Sequence, residues 1–252
     1  MSAPLVVVED RDRVRHVRLN RPDKINALNA GMMTGIAEAV SRADPGRTDL
    51  VVLSGEGPRG FCAGADIAEF AQGAAALETQ EHALVAMIEA FAHTPLPVAV
   101  MAHGRALGAG GTLMTLADLV IASDDLSFGF PEIRFGMYPV IVHGALMYKL
   151  SEAQAAQLCL SGRTLGAQEA MTLGLVTRIV PRAAFDTEAP EALRFFAERA
   201  VALKIGKRAW RQGDAGATLG ARVRALAPLM LENFAHPDVQ ARIATALGPA
   251  RG

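Results

Sequence analysis

The amino-acid sequence predicts an α/β fold in which right-handed crossovers join parallel strands. The first observation is that β-like and helix-like segments alternate along most of the chain. The second is that the central β-like segments are too apolar to face water, so we expect them to be buried on both faces. The third is size: 252 residues, 51% of them hydrophobic, suffice for one large domain or for one domain with a small appendage.

The first elements are a predicted hairpin, a helix and a buried strand. Residues 5–8 and Val14–Leu19 are short runs rich in β-branched residues, and the charged residues 9–12 between them indicate a turn. Asn29 can cap a helix whose apolar residues keep the 3.6-residue spacing. The strand predicted at 50–54 reads LVVLS and is apolar along almost its whole length.

The alternation continues to about residue 185, beyond which the chain is almost purely helical. We expect strands at Val98–Ala102, 119–122 and 175–180, and helices ending before Pro95, over 108–117, and starting at a capping box of Ser151 and Gln154. The helical tail carries an apolar stripe that needs a partner surface, namely Leu219, Val223, Leu226, Met230 and Phe234. We therefore divide the chain into a core of residues 1–184 and a helical oligomerisation region of residues 185–252.

Composition and charge exclude several classes of protein. The 25 Lys and Arg residues balance 26 Asp and Glu residues, and a net charge of −1 does not indicate a nucleic-acid binder. Cys62 and Cys159 are too few for a disulfide framework, and no Cys, His and acidic residues have metal-site spacing, so we predict no metal. The N-terminus lacks a signal-peptide pattern and no apolar run reaches the ~18 residues of a membrane span. We therefore expect a soluble cytoplasmic protein.

Two stretches, 50–67 and 98–113, share one design: a buried strand, then small residues, then the start of a helix. Small residues there let a ligand approach backbone N–H groups that have no helical partner. Neither stretch is a P-loop or a GxGxxG motif, which disfavours a nucleotide. Two N–H donors directed at one point would suit a carbonyl oxygen that becomes an enolate. Tight packing of helices on strands would explain the small residues equally well, and spacing alone leaves both interpretations open.

Several motifs resemble the crotonase (enoyl-CoA hydratase/isomerase) superfamily, in order and over nearly the whole chain. They are LNRPDKINALN at 19–29, FCAGADI at 61–67, GRALGAGGTL at 104–113, FPEIRFG at 130–136, LSGRTLGAQEA at 160–170 and GLVTRIVP at 174–181. The resemblance implies a crotonase-like spiral of ββα turns with a C-terminal helical trimerisation region. It also implies an acyl-CoA thioester substrate, a homotrimer or homohexamer, and no cofactor beyond the coenzyme A moiety of the substrate.

The resemblance assigns an oxyanion hole and one acid/base. The backbone N–H groups of Ala65 and Ala109 would polarise the thioester carbonyl. Glu132, in FPEI, matches one of the two glutamates of the hydratases, and a carboxylate in an apolar pocket has a raised pKa and can carry a proton. The position of the other glutamate holds Thr112, and a third acid position used by some members holds Val140.

Three histidines and one aspartate are weaker candidates. His143 could substitute as an acid/base, because imidazole titrates near neutral pH, or could be structural. His103, at a strand end, is predicted to be structural, and His82 lies in a variable helical region that roofs the acyl pocket in the family. Asp66 is predicted to be a helix N-cap.

The coenzyme A moiety has one predicted contact loop. Lys24, in RPDKINAL, would contact a phosphate, and Ile25, Asn26 and Ala27 would supply backbone groups to the adenine. The chain departs from the family at Ala68, where a basic residue is usual, and at the C-terminus, which lacks the usual basic residue followed by Phe. We therefore do not expect the tail to anchor coenzyme A in the usual way.

These residues together predict an acyl-CoA-transforming enzyme of enoyl-CoA hydratase/isomerase type, with Glu132 as its single acid/base. Hydration divides two proton transfers between two carboxylates, whereas a double-bond shift needs only one base, so isomerase-type chemistry is favoured. The alternatives are a non-catalytic acyl-CoA-binding protein, and a CoA-thioester hydrolase or C–C bond enzyme on the same scaffold. The acyl group is not specified, because the variable segment 70–89 and the helical tail shape its pocket.

Overall fold

The computed structural model describes residues 3–70 and 74–212, together with residues 237 and 241. The chain divides into two compact units, Met1–Ala197 and Glu198–Gly252. The first unit contains every β-strand described below and all the residues of the candidate site. In the second unit, the structure describes one long helix, Ala200–Gln212.

The elements alternate as the sequence predicts. The described strands are β1 (Val6–Arg11), β2 (Val14–Leu19), β3 (Leu50–Gly55), β4 (Val98–Ala102), β5 (Arg105–Leu107), β6 (Leu119–Ser123), β7 (Ser127–Gly129), β8 (Thr164–Gly166) and β9 (Arg178–Val180). The described α-helices are α1 (Ala30–Ser41), α2 (Ile67–Phe70), α3 (Ala74–His93), α4 (Ala109–Leu116), α5 (Val140–Leu146), α6 (Glu152–Ser161), α7 (Ala167–Thr172), α8 (Phe185–Ala197) and α9 (Ala200–Gln212). Short 3₁₀ helices lie at Pro22–Lys24, Pro131–Phe135 and Arg182–Ala184. Of these described helices, none combines the length and apolarity that crossing a membrane would require.

The larger sheet has six strands in the order β1-β2-β3-β4-β6-β9. β1 and β2 form the predicted antiparallel hairpin, and every later pair in this sheet is parallel. β1 runs further than predicted, to Arg11, because its charged residues lie on an exposed edge strand. The turn therefore falls at Asp12 and Arg13, both of which adopt left-handed backbone angles.

A second, smaller layer of strands accompanies the large sheet. β5, β7 and β8 form a three-stranded sheet, and isolated bridges join Cys62 to Ala106 and Leu28 to Ala65. The chain therefore passes repeatedly through a strand of the large sheet, an extended segment of the small layer and a helix. This is the expected spiral of ββα turns.

The central strands are buried on both faces, as predicted. Val51 and Leu53 of β3 contribute to the main core, while Leu50 and Val52 point into a second cluster. That second cluster is closed by α8, whose Phe185 and several alanines are buried there. The helical region predicted to start at residue 185 thus begins with a helix that packs on the sheet of the first unit.

The local signals at helix ends correspond to observed caps. The Asn29 side chain accepts a hydrogen bond from the Met32 N–H at 2.9 Å and caps α1. Ser151 and Gln154 form the predicted capping box of α6. The last strand is shorter than predicted, since only Arg178–Val180 pairs with β6. The apolar stripe predicted between residues 219 and 234 lies outside the described residues.

Candidate active site

The small layer brings the two small-residue loops side by side. Cys62 and Ala106 pair in parallel, with the Cys62 N–H donating to the Arg105 carbonyl and the Leu107 N–H donating to the Cys62 carbonyl, both at 2.9 Å. Three residues beyond the paired positions the two segments reach Ala65 and Ala109. The predicted oxyanion residues are therefore neighbours in the structure.

The glycines before these alanines make the close approach possible. Gly64 and Gly108 have φ angles of 113° and 50°, which disfavour any residue with a side chain. A Cβ on Gly108 would lie 3.5 Å from the Gly64 Cα, so the two turns are in contact. Ala109 starts α4, where backbone N–H groups have no helical acceptor. Within the described residues, the N–H groups of Ala65 and Ala109 donate no hydrogen bond, which leaves both available to a ligand.

Both alanines open onto an apolar cavity of about 300 Å³. Its wall is built by α1, α3, α4 and the segment from the 3₁₀ helix at Pro131–Phe135 to α5. The lining residues are Met33, Ala65, Leu77, Gln80, Glu81, Leu84, Ala109, Glu132, Met137, Tyr138, Pro139, Val140, Ile141 and Val142. A cavity of this size and character can hold an acyl chain.

Glu132 places its carboxylate beside the oxyanion turns. A Cβ on Gly108 would lie 2.7 Å from Glu132 Oε1, so the carboxylate and this turn are in contact. The other oxygen, Oε2, is buried and has no hydrogen-bond partner in the described part of the chain. Burial raises the pKa of Glu132, and a hydrogen bond with its own backbone opposes that rise only in part. A desolvated carboxylate in this position can remove and return a proton.

Neither Thr112 nor Val140, which occupy the other two acid positions of the family, supplies a second acid/base group to the cavity. The Thr112 side chain is fully buried, does not line the cavity, and donates its hydroxyl to the Gly108 carbonyl at 3.1 Å. Val140 does line the cavity but has no titratable group. The described cavity wall has two carboxylates, Glu132 and Glu81, and Glu81 comes from α3 rather than from either family position.

His143 reaches the cavity only through a neighbour. It does not line the cavity, but its Nδ1 shares a short hydrogen bond with the Tyr138 hydroxyl, and the two rings lie 5.7 Å apart. Tyr138 does line the cavity, and desolvation together with the nearby Cys159 raises its pKa. Its hydroxyl therefore stays protonated near neutral pH and can donate a hydrogen bond.

The remaining titratable candidates lie outside the cavity lining. His103 bonds through Nε2 to the Gly57 carbonyl at 2.8 Å, which fits the predicted structural role. Asp66 accepts from the Ala68 N–H at 3.1 Å and so caps α2. Burial opposes ionisation of Asp66, but its contacts with Arg21 and the Ala68 N–H outweigh that effect and lower its pKa. His82 is exposed on α3.

The predicted coenzyme A loop is tightly bonded to the rest of the protein. The N–H groups of Ile25, Asn26 and Ala27 all donate to carbonyls within the loop. The buried Asn26 amide donates to the carbonyls of Glu56 and Phe61 at 3.0 and 2.9 Å, which ties the loop to the first oxyanion turn. Adenine could then use carbonyl groups of this loop but not these N–H groups. Lys24 is exposed at the loop surface, and its phosphate contact stays a prediction.

Three polar residues of the cavity wall were not predicted from the sequence: Gln80, Glu81 and Tyr138. For the first two a signal existed. Leu77, Gln80, Glu81 and Leu84 have the spacing of one helical face, so a glutamate on that face interrupts an apolar stripe. Tyr138 lies in a loop, where no periodic pattern could have indicated its direction.

Two adjacent N–H donors and a desolvated carboxylate at an apolar cavity are what an enzyme needs to form an enolate from a thioester. The sequence places the chain in a known family. A family model described as enoyl-CoA hydratase/isomerase matches residues 9–241, and the chain belongs to that family. It is an enzyme of this family that acts on acyl-CoA.

The similar proteins include some named as hydratases and one named as an isomerase. A probable enoyl-CoA hydratase of Mycobacterium bovis is 35% identical over 192 residues, 75% of this chain and 74% of that protein. Enoyl-CoA delta isomerase 2 of Rattus norvegicus is 29% identical over 198 residues, 77% of this chain and 50% of that protein. The crystal structure of an enoyl-CoA hydratase from Mycobacterium smegmatis has a TM-score of 0.85 at 26% identity, covering 97% of this chain and 96% of that chain. These comparisons confirm the crotonase fold expected from the motifs.

Proposed function

We propose that the protein shifts the double bond of a 3-enoyl-CoA to the 2,3 position, with Glu132 as its single acid/base. The ionised carboxylate takes a proton from Cα of the substrate. The electrons of that C–H bond move toward the thioester carbonyl, whose oxygen is held by the N–H groups of Ala65 and Ala109. The protonated Glu132 then gives the proton to Cγ, which leaves the double bond between Cα and Cβ.

The observation that carries this proposal is the environment of Thr112, the residue at the position of the second glutamate. Its hydroxyl is committed to the Gly108 carbonyl and its side chain is buried away from the cavity. Hydration needs one group to deprotonate water and another to protonate Cα, whereas the double-bond shift returns the same proton. One carboxylate at Glu132 therefore suffices for isomerisation.

Hydration of a 2-enoyl-CoA is the second candidate. It is favoured by the hydrogen bond between the Tyr138 hydroxyl and His143, because Tyr138 lines the cavity and could hold a water molecule. In that case Tyr138 and His143 would supply the second proton-handling group. The proposed isomerisation consumes a 3-enoyl-CoA, whereas hydration consumes a 2-enoyl-CoA.

The proposal has a further part that concerns binding and assembly. Lys24 would contact a phosphate of coenzyme A, and the reaction would need no cofactor beyond that moiety. We also expect a homotrimer or homohexamer formed through residues 185–252. Neither expectation is needed for the proton transfer by Glu132.

A direct comparison of two absorbance changes tests the proposed reaction. The unmodified enzyme should generate the conjugated enoyl-thioester absorbance from 3-octenoyl-CoA faster than it removes that absorbance from 2-octenoyl-CoA. Thr112→Glu restores a second carboxylate and should raise the ratio of hydration to isomerisation. Thr112→Gln introduces a side chain of the same size as Glu that carries no proton, and it should leave the ratio of hydration to isomerisation unchanged. Faster hydration than isomerisation by the unmodified enzyme would instead support the second candidate.

A further inference from the structure

The cavity wall has polar groups that the proposed reaction does not use. They lie on α3, where Gln80 and Glu81 face the cavity between Leu77 and Leu84. A polar pair in an otherwise apolar wall affects which acyl chains can bind.

Gln80 offers the cavity region an acceptor and no donor. Its Nε2 donates to Glu69 Oε2 at 3.0 Å and to the Leu28 carbonyl at 3.3 Å. These two acceptors fix the orientation of the amide. Its Oε1 is buried and accepts no hydrogen bond from the described residues, in a side chain that is only 2% exposed.

Glu81 adds a negative charge to the same wall, at a position that is also exposed to solvent. Its carboxylate has no hydrogen bond or ion pair with any residue that the structure describes. Glu132 is the other charged residue of the wall, and no Lys, Arg or His is present among the described lining residues. The cavity therefore presents negative charge without a compensating cation among the described lining residues.

We propose that this cavity takes an uncharged acyl chain of medium length and that Glu81 excludes chains that end in a carboxylate. The inference rests on the proposed function, since it takes the cavity to be the acyl site. At about 30 Å³ per water-sized group, a cavity of about 300 Å³ has room for about ten non-hydrogen atoms, enough for an eight-carbon chain.

The physical reason is the environment of the chain end. A terminal methyl group gains by leaving water for the apolar wall. A terminal carboxylate loses part of its hydration against the apolar wall, finds no cation among the described lining residues, and meets the like charge of Glu81, which solvent partly screens. Both effects disfavour the carboxylate.

Binding of two saturated thioesters tests this selectivity without any turnover. Octanoyl-CoA and suberyl-CoA have the same chain length and differ only in a terminal methyl or carboxylate. By titration calorimetry, octanoyl-CoA should bind at least about tenfold more tightly to the unmodified enzyme. Glu81→Gln keeps the side-chain shape, and should strengthen suberyl-CoA binding severalfold while leaving octanoyl-CoA binding unchanged. Glu78→Gln, an exposed position on the same helix that does not line the cavity, should change neither affinity.

Three results would overturn the inference. One is equal or tighter binding of suberyl-CoA to the unmodified enzyme. Another is a preference that Glu81→Gln leaves intact. The third is binding of both thioesters no tighter than coenzyme A alone, which would show that the cavity does not take the acyl chain. A clear preference for octanoyl-CoA in an enzyme that does not isomerise 3-octenoyl-CoA would support the charge selectivity and refute only the proposed reaction.

Discussion

In the proposed reaction, burial suits the Glu132 side chain to carry a proton. The buried, unpartnered Oε2 has lost its hydration, which raises the pKa of the carboxyl group. In the proposed reaction the N–H groups of Ala65 and Ala109 would stabilise the enolate, which would lower the pKa of the substrate Cα–H. The two changes bring the acidities of base and substrate closer together, which favours proton transfer in both directions.

Replacing Glu132 by Gln removes the proton carrier and keeps the shape. Isomerase turnover should fall by about 10²–10⁴-fold, the usual contribution of general acid–base catalysis, while the affinity for octanoyl-CoA stays similar. Steady-state rates and calorimetry on the same preparations would measure both. Glu89→Gln, exposed on α3 and absent from the cavity lining, is the control and should leave turnover unchanged. Full turnover in Glu132→Gln would transfer the catalytic role to Tyr138 and His143.

At the scale of elements, the site depends on pairing that sequence patterns reveal only partly. The long apolar strands β3 and β4 and the helix α4 were predictable because each has a clear run or period. β5, β7 and β8 have three residues each, too few for a period, and sequence analysis missed them. The bridge between Ala106 of β5 and Cys62 is what brings Ala65 next to Ala109. The resemblance to the family named both residues, but only the structure explains their proximity.

The position of the Ala109 N–H beside Glu132 depends on Gly108, which directly precedes α4. An alanine there meets Glu132 Oε1 at 2.7 Å and must adopt a φ of 50°. We expect Gly108→Ala to cost at least about 1–3 kcal/mol of folding free energy, because side chains disfavour a φ of 50° with a ψ of −120° and the new Cβ meets Glu132. It should also lower kcat at least about tenfold by displacing the Ala109 N–H and the carboxylate.

Gly174→Ala is the matched control for this substitution. Gly174 has a φ of 76° and nothing within 4 Å of an added Cβ. It should lose stability in denaturant titrations through its positive φ alone, with normal turnover at a temperature where both variants are folded. Equal turnover in the two variants would contradict the role assigned to the turn at Gly108.

At the scale of the whole molecule, the order of motifs predicted the spiral fold and the family, and both are confirmed. The cavity was less predictable, because its wall combines residues of α1, α3, α4 and α5 that no single motif contains. The sequence indicated only that the segment 70–89 shapes it. Only the structure identifies Glu81 and Tyr138 as cavity residues, because the direction of a side chain in a loop or between two helices depends on tertiary packing.

The fate of one proton tests the central claim, that a single carboxylate both removes and returns it. The measurement is the position of deuterium in the product when 3-octenoyl-CoA carrying deuterium at Cα is isomerised in ordinary water. Because Glu132 Oε2 is buried, its proton should exchange slowly with solvent, and a measurable share of the deuterium should appear at Cγ of the 2-octenoyl-CoA. A product whose new hydrogen at Cγ comes entirely from solvent would contradict the direct return of that proton by a single carboxylate.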